Sequence, residues 1–293
     1  MTPAAQEQRL YKYMSEPPLN NNDPAADSHG DTPKITVVTV TYNAAGLIGR
    51  TIESVEQQDY PCVEHLIVDG NSQDDTLAHV HHYQERNSVA GVRHEVACLS
   101  EPDDGLYDAM NKALDMATGQ YVLFINAGDR LHAPDTLSLL ARAAAAHHGD
   151  LPAVVYGHTD IVDGEGRFLH PRRLAPPERL TWRSFAAGML VCHQAFMART
   201  DLARQAGYDR RYRYSADFDW CIRVMREAKR RRLPLTNAHI VVADYLSEGM
   251  TTRHHAASLR ERFRIMARHY GLALTLAQHG RFLLRAAGRR IKR

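Results

Sequence analysis

Between Ile35 and Leu246 the chain alternates short apolar runs rich in β-branched residues with longer stretches whose apolar side chains recur every three or four positions. The run ITVVTVT (Ile35 to Thr41) is continuous rather than alternating, which predicts a strand covered on both faces. A helix follows it, with Leu47, Ile48, Ile52 and Val55 on one stripe. HLIVD (His65 to Asp69) reads as a second buried strand, and GNSQDDT after it supplies side chains that cap a helix continuing through Leu77 and Val80. Leu106, Met110, Ala113 and Leu114 mark a further helix leading into the strand YVLFIN (Tyr121 to Asn126). Short strands are predicted at AVVYG (Ala153 to Gly157), around Val191 to Met197, and at HIVVADYL (His239 to Leu246), with a helix from Asp217 through Arg226 between the last two.

Strand, helix, strand and helix in this order set successive strands side by side and parallel, because each helix crosses over a face of the sheet. The expected class is therefore α/β, a mixed and mostly parallel sheet flanked by helices. In open sheets of this kind ligands bind outside the carboxyl ends of the strands. Thr41 to Asn43, Asp69 and Asp129 all fall at such ends, so three strand ends converge on one crevice.

The pattern changes on either side of this region. Residues 1 to 33 include SEPPLNNNDPAADSHGDTP, whose few apolar side chains do not offset the entropy of ordering, so a disordered leader is expected ahead of one catalytic domain over residues 34 to 252. Residues 253 to 293 hold eleven Lys/Arg and a single acid, Glu261. That tail carries +10 against +2 for the whole chain, which leaves −8 on residues 1 to 252. The acidic body suits a divalent metal, and the basic tail suits an anionic partner. In the tail, Leu259, Phe263 and Met266 stand at helical spacing among Arg260, Arg264 and Arg268. This reads either as an amphipathic helix lying on anionic lipid or as a helix whose apolar stripe packs on the domain. No basic and aromatic interleaving appears, so no nucleic-acid partner is expected. No apolar run approaches the roughly 20 residues of a spanning helix, and the first thirty residues lack a signal-type apolar core. The expected location is the cytoplasm, with the tail touching the inner face of the plasma membrane. Cys62, Cys98, Cys192 and Cys221 form no CxxC pair and read as free thiols.

Several polar residues at the strand ends carry candidate chemistry. Asp69, at the mouth of a buried strand, reads both as an acceptor for a ribose hydroxyl or base N–H and as a turn aspartate. Thr41, Tyr42 and Asn43 offer hydroxyl, aromatic and amide groups that frame a nucleotide. NAGD (Asn126 to Asp129) puts a carboxylate directly after an apolar strand, where it can ligate Mg²⁺ or Mn²⁺ while diphosphate oxygens complete the shell; the plainer alternative is a Gly-Asp turn. SADFDW carries Asp217 and Asp219 at a helix start, two residues apart and hence pointing in different directions, so at most one faces the crevice. Such a carboxylate serves as the base for an acceptor hydroxyl or as a helix cap.

Together these motifs resemble a family. The strand ending in TYN, IVDG-S-DDT, SEPDDGLYDAMNKALDMATGQYVLFINAGD and CHQAFMAR…YSADFDW are similar to family-2 glycosyltransferases of the GT-A fold, in particular to bacterial exopolysaccharide enzymes of the colanic-acid type. The resemblance runs from about Lys34 to Met250. It implies a Rossmann-like nucleotide-diphospho-sugar transferase domain, a nucleotide-sugar donor, and a lipid-linked or glycan acceptor. It also implies donor contacts from Thr41, Asp69, Asp108, Asn111 and Lys112, metal binding by Asp129, Asp217 as the acidic base, and His193 and Gln194 on the acceptor side. Met110 stands where the wider family has arginine, and NAGD offers Asn126 or the turn backbone in place of the first acid of an Asp-x-Asp motif.

The reading is an inverting, metal-dependent sugar transfer. A sugar nucleotidyltransferase would need a glycine-rich basic loop for triphosphate, which TYNAAGLIGR does not supply. A dinucleotide oxidoreductase would need GxGxxG after the first strand. A non-catalytic scaffold that binds membrane through the tail is the remaining alternative.

Overall fold

The apolar run at Ile35 becomes strand β1 (Ile35–Thr41), and every one of its residues is buried, as is every residue of β2 (Val63–Asp69). The two pair in parallel, so that Thr41 stands beside Asp69 at the carboxyl end. In this computed structural model the described residues are 32–89, 94–147, 149–247 and 255–290; most of the expected leader (1 to 31) and the junction between body and tail (248 to 254) lie outside them.

Helix α1 (Ala45–Glu56) and helix α2 (Thr76–Val89) are the crossovers on either side of β2. α1 buries Ile48, Ile52 and Val55 as its periodicity predicts, but Leu47 is partly exposed. Strand β3 (Glu95–Ser100) pairs with β2 in parallel and sets Ser100 beside Asp69. Its sequence, EVACLS, is half-exposed at the sheet edge, so its weak apolar signal was not a strand prediction. Helix α3 (Leu106–Met116) buries Met110, Ala113 and Leu114 together with Tyr107. Strand β4 (Tyr121–Phe124) then pairs with β1. Regular pairing stops two residues short of Asn126, yet the N–H groups of Ile125 and Ala127 still donate to Val38 and Val40 along β1.

The second half of the sheet is mixed. Strand β5 (Arg130–Leu131) and helix α4 (Thr136–Ala145) precede β6 (Val154–Val162) and β7 (Phe168–Pro171). After 3-10 turns at Trp182–Ala187 and His193–Ala195 come β8 (Phe196–Arg199), α5 (Thr200–Ala206), α6 (Ala216–Arg231) and β9 (Leu235–Leu246). The sheet order is β3-β2-β1-β4-β8-β6-β9-β5, with β7 paired to β6. β6 and β9 run parallel, whereas β8 lies antiparallel to both β4 and β6. This is the mixed, mostly parallel sheet expected. The segment Val191 to Met197 is the exception, because a 3-10 turn at His193–Ala195 takes the middle of the expected strand and leaves only its last two residues, Phe196 and Met197, in β8. β9 starts four residues earlier than its apolar run, and its register with β6 shifts near His239, whose φ is +55°.

α6 carries the core of the second half. Phe218, Ile222 and Met225 are buried as expected, and Trp220 stacks on Tyr208 at 5.0 Å and meets Phe124 edge-on at 5.8 Å. The tail is two helices, α7 (His255–Tyr270) and α8 (Leu272–Arg290). α7 packs on the domain, but only in part through the predicted stripe. Leu259 is exposed, while Ser258, Ile265, Met266 and the His269 side chain are buried. The buried face includes polar residues with partners on the body, which an apolar-periodicity argument does not see. Tyr270 stacks on Trp182 and donates its hydroxyl to the Trp182 carbonyl at 2.6 Å.

Asp219 fastens this arrangement. Its fully buried carboxylate bonds Arg223 Nε at 2.6 Å and His269 Nε2 at 2.7 Å, joining α6 to α7. Burial pushes this carboxyl up, but His269 and Arg223 outweigh it and hold it below the usual range. Removing one member of a buried pair strands the other, so Asp219→Ala is expected to lower unfolding free energy by about 3 kcal/mol in urea titration at pH 7. A depressed carboxyl contributes stability above its unfolded pKa and loses it as pH falls through its folded value. The difference between wild type and Asp219→Ala should therefore shrink in acid.

Candidate active site

The carboxyl ends of β3, β2, β1 and β4 bring Ser100, Asp69, Thr41 and the Asn126–Asp129 turn into one row. Asp69 is fully buried and accepts from the Ser72 N–H at 2.9 Å, the Ser72 hydroxyl, and the Ser100 hydroxyl at 2.7 Å. Both readings of this residue thus have structural content: the carboxylate closes the Asp69–Ser72 turn and stays at the strand mouth. A carboxylate offers about four acceptor directions, so one remains for a ligand. Thr41 Oγ1 is buried with no partner. Tyr42 leaves its ring 62% exposed above Gly70, where an added Cβ would fall 2.6 Å from an Asp103 carboxylate oxygen and 3.3 Å from the Tyr42 ring. Glycine is what lets Asp103 and Tyr42 close over this turn.

Asn43 and Asn71 both adopt positive φ, +46° and +66°. Asn43 Oδ1 accepts from Gln73 N at 2.8 Å, and Asn43 N donates to Ser72 Oγ at 2.8 Å. The two loops at the ends of β1 and β2 are therefore pinned to one another. Non-glycine residues in this region cost free energy and concentrate at functional sites.

Asp129 lies in the turn after β4, its N–H bonded to the Asn126 carbonyl at 2.9 Å. Its buried carboxylate accepts from Gln194 Nε2 at 2.8 Å and from the Leu246 N–H at 3.0 Å. Burial pushes its pKa up to about 6, against the pull of those two donors and of nearby His193 and Arg50. Gly128 has φ +100°, and a Cβ there would meet Leu246 at 3.2 Å. Asn126 Oδ1 is buried and without a partner. A strained-charge carboxylate and an unsatisfied amide oxygen in one four-residue turn are oxygen donors of the kind Mg²⁺ and Mn²⁺ take. A second group, His132, Asp160 and Asp244, has its ligand atoms within 4.8 Å of one another. There, however, His132 is bonded to Asp244 at 2.7 Å, which holds its pKa up, and Arg130 stands 3.5 Å from the same carboxylate. An arginine and an imidazole already face that carboxylate, so the turn at Asp129 fits a metal better.

Asp217 and Asp219 do part company. Asp217 Oδ1 accepts from the Tyr107 hydroxyl at 3.1 Å, and Oδ2 lies 3.4 Å from His193 Nδ1. Burial pushes its carboxyl up, but the His193 contact and the charges of His193 and Arg262 hold it below the usual range, hence ionised. The adjacent residues His193 and Gln194 point apart, one to Asp217 and the other to Asp129. One dipeptide thus spans the two carboxylates. His193 Nε2 is buried and has no partner.

The rest of the YDAMNK motif is engaged with the protein. Asn111 clamps the Tyr208 backbone at 3.0 and 2.7 Å. Lys112 bonds Glu101 at 2.7 Å and the Pro102 carbonyl at 2.8 Å, and Asp108 pairs with Arg210 at 2.9 Å. The motif residue that reaches a candidate catalytic group is Tyr107. Neither it nor Asp103 was singled out from the sequence, although both lie in the long motif that carries the resemblance. A cavity of about 600 Å³ lies elsewhere, at the amino end of β4, and its Arg199 and Arg204 are held by Asp201 and by the Leu114 and Ala117 carbonyls.

The model of the family described as Glycosyl transferase family 2 matches residues 36–206. The chain is 31% identical over 215 residues to a PGL/p-HBAD biosynthesis glycosyltransferase of Mycobacterium tuberculosis, covering 73% of this chain and 77% of that one. It is 30% identical over 216 residues to an amylovoran biosynthesis glycosyltransferase of Erwinia amylovora, covering 70% and 69%. Among solved structures, S. aureus TarS 1–349 in complex with UDP-GlcNAc superposes with a TM-score of 0.62 at 19% identity, over 85% of this chain and 73% of that one. The full TarS chain is longer, and this chain spans 43% of it. A mannosyltransferase from Pyrobaculum calidifontis in complex with GDP-Man and Mn²⁺ matches with a TM-score of 0.58 at 19% identity, over 99% and 87%. At these identities the two structures speak to the fold.

Proposed function

The chain belongs to glycosyl transferase family 2 and has the GT-A fold, and from that premise we propose that it moves a sugar from a nucleotide donor to an acceptor hydroxyl by an inverting, metal-dependent displacement. The observation that carries this reading is the His193–Gln194 dipeptide, which reaches Asp217 with one side chain and Asp129 with the other. Metal-site and base candidates are thereby held in one frame beside the strand ends.

The donor nucleotide lies across Thr41, Tyr42, Asn43 and Asp69. The exposed Tyr42 ring offers a stacking face for the base, and Asp69 and Thr41 offer the remaining acceptor direction and an unpartnered hydroxyl to base or ribose. Asp108, Asn111 and Lys112 brace the segment that brings Asp103 and Tyr107 to this edge. Asp129 and Asn126 Oδ1 hold the divalent cation, Mn²⁺ or Mg²⁺. When bound, it neutralises charge on the departing diphosphate. Gln194 keeps the Asp129 carboxylate aimed, and Asp217, ionised and oriented by Tyr107 and His193, takes the proton of the acceptor hydroxyl. Support for the metal comes from the fit of the turn and from the Mn²⁺ in the Pyrobaculum calidifontis complex. Support for a lipid-linked or glycan acceptor comes from relatives named for amylovoran and PGL/p-HBAD biosynthesis.

The test is nucleotide release from UDP-, GDP- and dTDP-sugars with Mn²⁺ or Mg²⁺. Release with one donor, lost on chelation, supports the reading; a protein that neither turns over nor binds any of them overturns it and leaves the scaffold alternative.

The domain plan assigns residues 34 to 252 to catalysis, and the tail to a peripheral contact with the anionic inner face of the plasma membrane. No helix among the described residues is long and apolar enough to cross a membrane. α8 does expose Leu272 and Leu276, 56% and 55% accessible, on a strongly basic segment. Leu272→Gln with Leu276→Gln is expected to abolish flotation with anionic liposomes; equal flotation of both forms would sink the membrane role.

A further inference from the structure

The family model ends at residue 206, yet the helix that follows the catalytic body by sequence lies directly against the turn from which Asp217 projects. Glu261 of α7 accepts the backbone N–H of Arg213 on one carboxylate oxygen and that of Tyr214 on the other, each at 2.8 Å. Ser215, the residue that opens α6, does not cap its own helix with its side chain. Its hydroxyl is turned to Ser258 of α7, 2.9 Å from that hydroxyl and 3.3 Å from that carbonyl. One turn further along α7, Arg262 places its guanidinium 5.8 Å from the centre of the Phe218 ring, next to Asp217. Three consecutive residues, 213 to 215, are therefore fixed by α7 rather than by the helix they introduce.

We propose that α7 is a working part of the active site, and that Glu261 is a positioning residue which sets where the Asp217 carboxylate stands. The proposal rests on the reading of Asp217 as the base. Two N–H groups on one carboxylate hold the backbone in a single orientation, and Asp217 follows only three residues after Tyr214. Its contacts to Tyr107 and His193 are 3.1 and 3.4 Å, so a shift of a few tenths of an ångström is enough to open them. Misplacing a reacting group by about 1 Å lowers rate on the order of 10²-fold. α7 itself does not depend on Glu261 for attachment, because Ile265 and Met266 are buried in the main core and His269 and Tyr270 bond α6 and Trp182. Losing Glu261 frees the turn without releasing the helix.

The experiment uses the full chain and compares wild type with Glu261→Gln, Glu261→Asp, Ser258→Ala and, as a control on the exposed side of the same helix, Arg264→Gln. The readouts are kcat for nucleotide release, donor KM, and calorimetric affinity for UDP and GDP. Glu261→Gln keeps one acceptor and loses the other; it is expected to lower kcat by roughly 10- to 100-fold with donor KM and nucleotide affinity within about twofold. Glu261→Asp, which keeps both acceptors, restores part of the rate, and Arg264→Gln behaves as wild type. Wild-type kcat in Glu261→Gln, or a parallel fall in kcat and nucleotide affinity, overturns the proposal. Should Glu261→Gln not fold, Ser258→Ala carries the same test, since it loosens the turn at Ser215 alone. If Asp217→Asn itself keeps wild-type kcat, the reading of the base has failed; if Asp217→Asn is slow while Glu261→Gln is not, only the positioning role has.

Discussion

Asp217→Asn is expected to lower kcat for sugar transfer by about 10³-fold, in the middle of the range for removing a general base, while nucleotide affinity stays within about twofold. Asparagine keeps the shape and still accepts from the Tyr107 hydroxyl, so the surrounding packing is retained and the lost property is charge. Thr41 and Asp69, proposed above to meet the nucleotide, stand at the ends of β1 and β2 and are not touched by this change. Because His193 and Arg262 hold the Asp217 carboxyl below the usual range despite its burial, the group is ionised throughout the neutral region. No ascending limb from Asp217 is therefore expected in a pH profile between 5 and 8. A depressed carboxyl also contributes stability above its unfolded pKa and loses it as pH falls through its folded value, so Asp217→Asn should be somewhat less stable than wild type at neutral pH. A variant with wild-type kcat would remove Asp217 from the chemistry.

Asp129→Asn is expected to do the opposite to stability and as much to rate. The wild-type carboxyl titrates near 6 in the fold and near 3.8 when unfolded, so the unfolded chain ionises first as pH rises. The metal-free fold accordingly loses stability between about pH 4 and pH 6 and stays lower above that window. Two pKa units correspond to about 3 kcal/mol. Asparagine removes that penalty but sets its amide NH2 against either the Leu246 N–H or Gln194 Nε2, which loses its acceptor at about 1 kcal/mol. The net gain in the metal-free protein at pH 7 is about 2 kcal/mol, read by urea titration in EDTA. Wild type should recover stability on adding Mn²⁺ and the variant should not, while nucleotide release falls by about 10²-fold or more, the loss of one charged transition-state contact. A variant less stable than wild type at pH 7, or one that still responds to Mn²⁺, would remove Asp129 from the metal site. The combination of a more stable protein and a slower enzyme separates a functional carboxylate from a structural one. Asp219 illustrates the contrast, since its removal strands Arg223 and His269 and destabilises.

Much of this site is legible in the sequence. Continuous β-branched runs ending in polar residues mark buried strands and their mouths, and Thr41, Asp69 and the NAGD turn stand at those mouths. The two-residue spacing of Asp217 and Asp219 was enough to say that they point in different directions, and Asp217 meets Tyr107 and His193 while Asp219 meets Arg223 and His269. What the pattern left open was the face of the tail that packs, and it placed a strand where a 3-10 turn stands at His193–Ala195. Apolar spacing put Leu259, Phe263 and Met266 on one stripe facing either lipid or the domain; of these Met266 is buried, together with Ser258, Ile265 and His269. Asn111 and Lys112, read as donor contacts, have their polar groups engaged by Tyr208, Glu101 and Pro102. Tyr107, four residues before Asn111 on the same helix, reaches Asp217 instead.

By itself the sequence determined the strands, their order along the chain, the helices between them and the carboxylates at their ends, because each follows from interactions within a few residues: side-chain alternation, helical periodicity and turn chemistry. Tertiary structure alone decided which partners each carboxylate meets. Asp129 meets Gln194 across 65 residues, Asp217 meets Tyr107 across 110, and Glu261 meets the turn before Asp217 across nearly 50. The charge state and aim of a buried carboxylate are set by its hydrogen-bond donors and neighbouring charges in a poorly screened interior. Those neighbours are chosen by packing, and packing leaves no local period in the chain.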